Sequence, residues 1–562
     1  MFALIASLSS CGGTIVPGAH PEMVLFSGKI YTQEKPQRVV EAIAIQGGRV
    51  LAVGSNAEML ALAVENTQRI DLGGKSVYPG FADGHAHLEG VGTALEGLDL
   101  VGTQSFAEVV ALAKASHAAL PEGEWLTGRG WDQNDWQQKS FPSHHALSAA
   151  IPNRPVVLVR VDGHALLANQ AAMNAAGVTK QTPDPAGGRL ERDSDGELTG
   201  VFVDHAEGLI ANVIPAMSLA AIERAIGSAT QAFHAQGITA VHDAGVGPEA
   251  LALLESMATE GRLRLRLHEM LDGSNADLRQ RYFALGPQSD IGGTGTLGVR
   301  AIKLYADGAL GSRGAALLEE YSDDHGNLGL LLTSPQDMQR IVGESLDAGF
   351  QVATHAIGDR GNRLTLDVYE QAFAALPLSA NGSADLRFRI EHAQVVHSED
   401  FQRFADLGVI PAMQAQHQTS DMPWAEDRLG AERVRGAYAW RRFREVGCIL
   451  PGGSDAPVEK LDSVALFIAA IARATPEGKP EGGWYPDQKL SRQEALDMLT
   501  IWPAHAAFRE HDLGRLLPGF RADMVVFGHD LMTLPVADLR SCAPALTIFG
   551  GEVVWMASPE EE

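Results

Sequence analysis

Cysteine is nearly missing from this chain: Cys11, Cys448 and Cys542 are the 3 among 562 residues. No Cys-x-x-Cys pair occurs, which excludes a thiolate zinc site, a thioredoxin-like motif and a disulfide scaffold. Bases are short as well. Lys and Arg number 44 against 70 acids, for a formal net charge of −26. Such a surface repels phosphate backbones, so no nucleic-acid partner is expected. Past the first residues no apolar run reaches the roughly 18 residues of a spanning helix. The glycines form neither a Walker loop nor a dinucleotide fingerprint, and no Gly-x-Ser-x-Gly elbow occurs. No repeat of 20–50-residue period stands out. What remains is a globular composition, 45% hydrophobic and 20% charged, long enough to bury a large core without disulfides.

The first 20 residues stand apart. Phe2 to Leu8 is a short apolar run, and Leu8-Ser9-Ser10-Cys11 resembles a bacterial lipobox. It implies a lipid anchor at Cys11, the one route to a membrane, and a periplasmic or membrane-anchored protein. No Lys or Arg precedes the run, which departs from a full signal peptide. The alternative is a plain N-terminal tail on a cytoplasmic protein.

Short β-rich runs separated by glycine pairs fill residues 23–54, with turns at Gly47-Gly48. The far end reads alike, from Ala522 to Phe527 and from Leu546 to Trp555 around Gly550-Gly551. One small β-sandwich built from both ends, residues 21–76 and 512–562, is the expectation. Between them, residues 77–511 alternate apolar strands with amphipathic segments such as Ser334–Ala348 and Leu364–Ala375. Eight strands are expected to end near Asp83, His242, His268, Lys303, His355, His392, Met413 and Leu450. Eight such units make an α/β fold of the (β/α)₈ barrel type. The interval of about 92–215 is too long for one helix and carries its own strands, such as Pro155–Arg160. It reads as a large insertion after the first strand, covering the end of the barrel where active sites form.

Chemistry gathers at those strand ends. Pro79-Gly80-Phe81-Ala82-Asp83-Gly84-His85-Ala86-His87 ends a strand on two alternating histidines. Residues two apart on an extended chain share a face, so both imidazoles can meet one ion. His355, His392 and Asp455 each close an apolar run further on. A single histidine after a strand is ordinarily a hydrogen-bonded core residue; five such residues on four strand ends describe a site.

Other motifs accompany them. They are Gly-Arg-Gly-Trp-Asp-Gln at 128–133, Gly-Ile-Thr-Ala-Val-His-Asp at 237–243 and Ile-Lys-Leu-Tyr-Ala-Asp-Gly-Ala-Leu-Gly-Ser at 302–312. Thr-His-Ala-Ile-Gly-Asp at 354–359, Glu-His-Ala-Gln at 391–394, Gly-Ser-Asp-Ala-Pro at 453–457 and Leu-Gly-Arg-Leu-Leu-Pro-Gly-Phe-Arg-Ala-Asp at 513–523 follow. Together, over about residues 22 to 556, the chain resembles the amidohydrolase superfamily, in the family-3 branch that includes N-substituted formamide deformylases.

The resemblance implies one or two divalent metals per chain. Zinc is expected, with iron, manganese and nickel as alternatives. It implies that His85 and His87 bind the more buried metal near Asp455, and that His355 and His392 serve the second metal or the substrate. Lys303 falls where many relatives carry a carboxylated lysine bridging two metals. The other reading of Lys303 is an ammonium paired with Asp307 or a nearby carboxylate, with a single-metal site. Asp455 would take a proton from the attacking water and pass it to the leaving nitrogen, with His355 helping to polarise the carbonyl. Substrate contacts are expected from Trp131, Asp132 and His164 in the insertion, from Asp307, Ser312 and Arg313 after the fourth strand, and from Gln414 and His417 after the seventh. The bland readings are that Trp131 packs the insertion and that Arg313 pairs with an acid. The expected partner is a small amide-like molecule, and a homodimer is compatible with the resemblance. A cyclic amidine deaminase or lactonase would use the same water attack. A non-catalytic metal-binding surface lipoprotein is the reading from another class, and a proton-shuttling Asp455 has no use there.

Overall fold

The computed structural model describes residues 20–376 and 385–558, so Cys11 and its neighbours lie outside the described residues. The centre is a mixed α/β body around a nearly closed sheet of parallel strands. Seven follow one another around it: Phe81–Ala86, Ile238–Val246, Arg266–Asp272, Leu297–Tyr305, Gln351–Ala356, Arg389–His392 and Ile410–Ala412. Each is parallel to its neighbours. They are buried almost throughout, which is why they read as continuous apolar runs rather than alternating ones. Helices including Leu219–Ala235, Pro248–Thr259, Pro335–Asp347 and Asp359–Ala374 connect them.

The expected eighth strand, ending near Leu450, is no regular strand. It meets the seventh through one parallel bridge, Met413 to Gly452. Pro451 lacks an N–H, and Gly452-Gly453 lets the chain leave the extended form early. The segment nonetheless spans the gap to the first strand. Gly84 N donates to Gly452 O at 2.7 Å, and Asp455 N donates to His85 O at 2.7 Å. The Asp83 carboxylate accepts from Ser454 N at 3.0 Å and from Ser454 Oγ at 2.5 Å. The approach is close enough that a β-carbon on Gly453 would lie 2.4 Å from His85 N. These contacts carry Asp455 to the two histidines.

Between the first and second barrel strands the chain builds a separate six-stranded sheet from Leu98–Asp99, Leu126–Trp131, Val156–Arg160, Ala165–Ala168, Leu198–Asp204 and Gly188–Arg192. Its core contains Trp131, Trp136, Leu158 and Val203. The two chain ends meet in another sheet, where Met524–Phe527 pairs antiparallel with Ser76–Pro79. A four-stranded sheet of Met23–Phe26, Ala42–Gln46, Arg49–Gly54 and Gln68–Asp71 shares its core, with Leu25, Ile43, Val77, Met524 and Ile548 in one cluster.

Candidate metal centre

Asp455 is the hub. It is 5% exposed, with φ +59, and His392 beside it has φ +70. Non-glycine residues reach the left-handed region at a cost, and such outliers concentrate at functional sites. Asp455 Oδ1 lies 3.2 Å from His87 Nε2 and 3.5 Å from His85 Nε2, yet it accepts no well-directed hydrogen bond. Asp455 Oδ2 faces His417 Nε2 at 3.2 Å. Two triads therefore share one carboxylate: His85, His87 and Asp455, and His392, His417 and Asp455, each with its ligand atoms within 4.8 Å of one another.

Three of the four histidines in these triads are anchored by one ring nitrogen and leave the other for the centre. His85 Nδ1 donates to Glu391 Oε2 at 2.5 Å. His392 Nδ1 donates to Gln414 Oε1 at 2.8 Å. His417 Nδ1 donates to Glu459 Oε1 at 2.9 Å. This is how proteins fix the tautomer of a metal-ligating imidazole. Burial, with the charge of Lys303, lowers His85 to about 4, so its Nε2 carries a lone pair at neutral pH. Burial, chiefly, holds His392 well below its ordinary value. His417 goes the other way: burial is outweighed by Asp455 and Glu459, which hold the ring protonated. A metal there would displace that proton. Burial is likewise outweighed at Asp455, where His417 and His87 hold the carboxyl well below the usual range. A buried carboxylate oxygen without a well-directed hydrogen bond, near the free lone pairs of His85 and His392, is a donor set that suits zinc.

Behind the centre, Glu391 is fully buried. Arg389 donates to it twice, at 2.7 and 2.8 Å, and also meets His242 Nδ1 at 2.8 Å and Gly84 O at 2.7 Å. Lys303 reaches in from the fourth strand, with Nζ 3.2 Å from His85 Nε2. Burial pushes it down to about 8.

His355 belongs to neither triad. Its ring lies 4.5 Å from that of His392, but its Nε2 faces Gly308 O at 3.4 Å and Asp307 Oδ1 at 3.8 Å. Of the expected substrate contacts, His164 lies beside His355, with ring centroids 5.0 Å apart, and its Nδ1 is 2.7 Å from Asp204. Others are engaged elsewhere. Trp131 is 0% exposed, packed against Trp136 and Phe141 in the core of the six-stranded sheet with Nε1 donating to Leu158 O at 2.7 Å, which leaves no face for a substrate. Asp307 accepts three backbone N–H groups, from Ala316, Ile357 and Gly358, and so ties the loop after the fourth strand to the end of the fifth. Arg313 pairs with Asp323 at 2.9 Å. Asp132 binds Arg160, and Ser312 is buried with its Oγ toward Ala309 O. Gln414 anchors His392.

The place of His417 in a triad with Asp455, and the hold of Glu391, Arg389 and Glu459 on this cluster, were not read from the sequence. Arg389-x-Glu391 carried a signal: two charged residues on one face of an apolar strand need each other. His417 lies on a helix after the seventh strand and has no such local mark.

A parallel α/β barrel that gathers histidines and a carboxylate at its strand ends defines a hydrolase class with a divalent-metal centre. The chain belongs to the amidohydrolase family, whose model matches residues 68–555. It is 30% identical over 538 residues to the putative amidohydrolase YtcJ of Bacillus subtilis, covering 94% of this chain and 99% of that protein. It is 25% identical to the N-substituted formamide deformylase of Arthrobacter pascens, covering 94% and 97%. The crystal structure of an uncharacterized metal-dependent hydrolase from Pyrococcus horikoshii superposes with a TM-score of 0.73 at 27% identity, over 92% of this chain and 99% of that one.

Proposed function

We propose that this hydrolase cleaves a non-peptide carbon–nitrogen bond, an amide or formamide of a small molecule, with Asp455 as the proton carrier. The observation that carries the reading is the buried Asp455 Oδ1, without a hydrogen bond, between His85 and His87. His85, His87 and Asp455 would hold one ion, and His392, His417 and Asp455 a second. Zinc in those positions supplies a Lewis acid that acidifies water and polarises a carbonyl.

The chain's own residues do the rest. Asp455 is ionised at neutral pH, so it accepts the proton of the attacking water and returns it to the leaving nitrogen. His355, which burial chiefly keeps neutral, donates to the carbonyl oxygen as it gains charge. Glu391 and Gln414 hold His85 and His392 in the ligating tautomer. As an ammonium, Lys303 would donate into His85 Nε2 and compete with the ion. Carboxylated, it would offer two acceptor oxygens to an ion held beside His85. Similarity to a formamide deformylase supports the bond type.

The test is an Asp455→Asn variant assayed on N-formyl and N-acyl amines with metal content measured. Amine release should fall by about 10²–10⁴, the usual worth of general acid–base catalysis. An Asn variant with metal bound and wild-type turnover would refute the proton role. Ammonia release without an acid product would replace amide cleavage by deamination.

A further inference from the structure

Arg129 belongs to the Gly-Arg-Gly-Trp-Asp-Gln stretch and lies in the insertion strand Leu126–Trp131. Its guanidinium rests on the turn before His164. Nη2 donates to Val161 O at 2.8 Å, and a β-carbon on Gly163, where φ is +74, would lie 3.1 Å from that nitrogen. Nε is buried and donates to nothing.

Arg129 has acidic neighbours, but none pairs with it, although Asp204 Oδ2 and Glu207 Oε1 are themselves buried without a partner. Asp132 and Asp162 bind Arg160, one on each of its terminal nitrogens. Asp204 Oδ1 holds His164 at 2.7 Å. Burial, more than any neighbouring charge, pushes the Glu207 carboxyl well above the carboxylate range. Buried Arg160, Arg266 and Arg389 each hold a carboxylate, whereas buried Arg473 donates to the backbone oxygens of Trp484 and Tyr438. Arg129 forms no ion pair among the described residues. The strongest charge acting on it is that of Asp455, at the hub of the metal centre. From the same turn, His164 reaches to 5.0 Å from the His355 ring.

The Arg129 guanidinium is half-buried, its buried Nε has no acceptor, and its planar fork matches a carboxylate two-for-two. We infer that Arg129 anchors a carboxylate of the substrate, so that the substrate class is an N-formyl or N-acyl amine that also carries a carboxylate. This rests on the hydrolase reading above. It adds a specificity determinant from the insertion, with the barrel supplying the chemistry.

The experiment compares matched pairs on the metal-loaded full chain: N-formyl-leucine against N-formyl-leucinamide, and N-benzylsuccinamate against N-benzylsuccinamide. In at least one pair wild type should prefer the acid by about tenfold to a hundredfold, the worth of one charge-assisted contact, expressed in KM. In Arg129→Met that preference should collapse toward one. Arg129→Lys, which keeps the charge but not the fork, should retain part of it. A second readout needs no turnover: calorimetric titration of chelator-treated protein with N-formyl-leucine, where Arg129→Met should bind at least tenfold more weakly. Hydrolysis of acids and amides at equal kcat/KM in wild type overturns the anchor and leaves the hydrolase. Arg129-dependent binding without turnover of either member keeps the anchor and removes the hydrolase. Both arms of the wild-type comparison are informative even if Arg129→Met fails to fold.

Discussion

Glu391→Gln is the sharpest perturbation of the centre that leaves every proposed ligand in place. Glu391 accepts from Arg389 Nε at 2.7 Å, from Arg389 Nη2 at 2.8 Å and from His85 Nδ1 at 2.5 Å, with no exposure to solvent. Glutamine has the same shape but only one acceptor. Its amide nitrogen meets the guanidinium in either orientation, at Arg389 Nε in one and at Arg389 Nη2 together with His85 Nδ1 in the other. Both set donor against donor and leave Arg389 buried with half a partner. The second also turns His85 Nδ1 into an acceptor, which moves the ring proton to Nε2 and removes the lone pair a metal needs. The lost pairing costs stability, on the order of the 3–5 kcal/mol seen when a buried ion pair loses one member. The moved proton costs about 10–100-fold in metal affinity. Zinc titration against a competing chromophoric chelator reads the affinity, and urea unfolding of metal-free protein reads the stability. Low pH should mimic the change. The charge of Arg389, with the hydrogen bond from His85, overcomes burial and holds Glu391 well below its ordinary value of 4.5. The unfolded chain therefore takes up the proton first. The contribution is whole above about pH 4.5 and is lost as pH falls to and through the folded-state value. A Glu391→Gln protein that binds zinc as tightly as wild type and unfolds at the same urea concentration would refute the reasoning.

Two further perturbations follow from the same geometry. Asp204 outweighs burial and raises His164 from 6.5 to about 9, so the pair's stability is full below about 6.5 and lost as pH rises through 9. The unfolding free-energy gap between wild type and His164→Gln should narrow by about 3 kcal/mol over that range, and a pH-independent gap would contradict it. Asp307→Ala strands three buried backbone N–H groups at about 1–3 kcal/mol each, so its urea midpoint should fall by far more than that of a surface Asp→Ala change.

Much of the fold and of the site was legible because the relevant patterns are local. Continuous apolar runs marked the barrel strands, and the His85-x-His87 alternation marked one face of a strand end. His392 and Asp455 were visible at the ends of theirs. What the chain does at a distance was not legible. The eighth segment looked like a strand until Pro451 and the two glycines after it limited it to one bridge. Trp131 sits in a motif near the site, yet the insertion has a core of its own and claims it. Asp307 follows the fourth strand where a substrate contact is natural, but three N–H groups from two other segments converge on it. His417 enters from a helix whose distance to Asp455 only the folded, nearly closed barrel sets, and Arg129 shows its lack of a partner only once Arg160 is seen holding both nearby aspartates.

The central claim is that Asp455 and the surrounding histidines hold metal that the hydrolysis requires. Chelator-reversible amine release tests it most directly: turnover of N-formyl and N-acyl amines by purified protein, by protein stripped of metal, and by the stripped protein reloaded with zinc, with metal counted at each stage. Loss of amine release on stripping and recovery on reloading, in step with one or two metals per chain, is the expected result. Amine release that survives complete removal of metal, or a folded protein that takes up none, would contradict it.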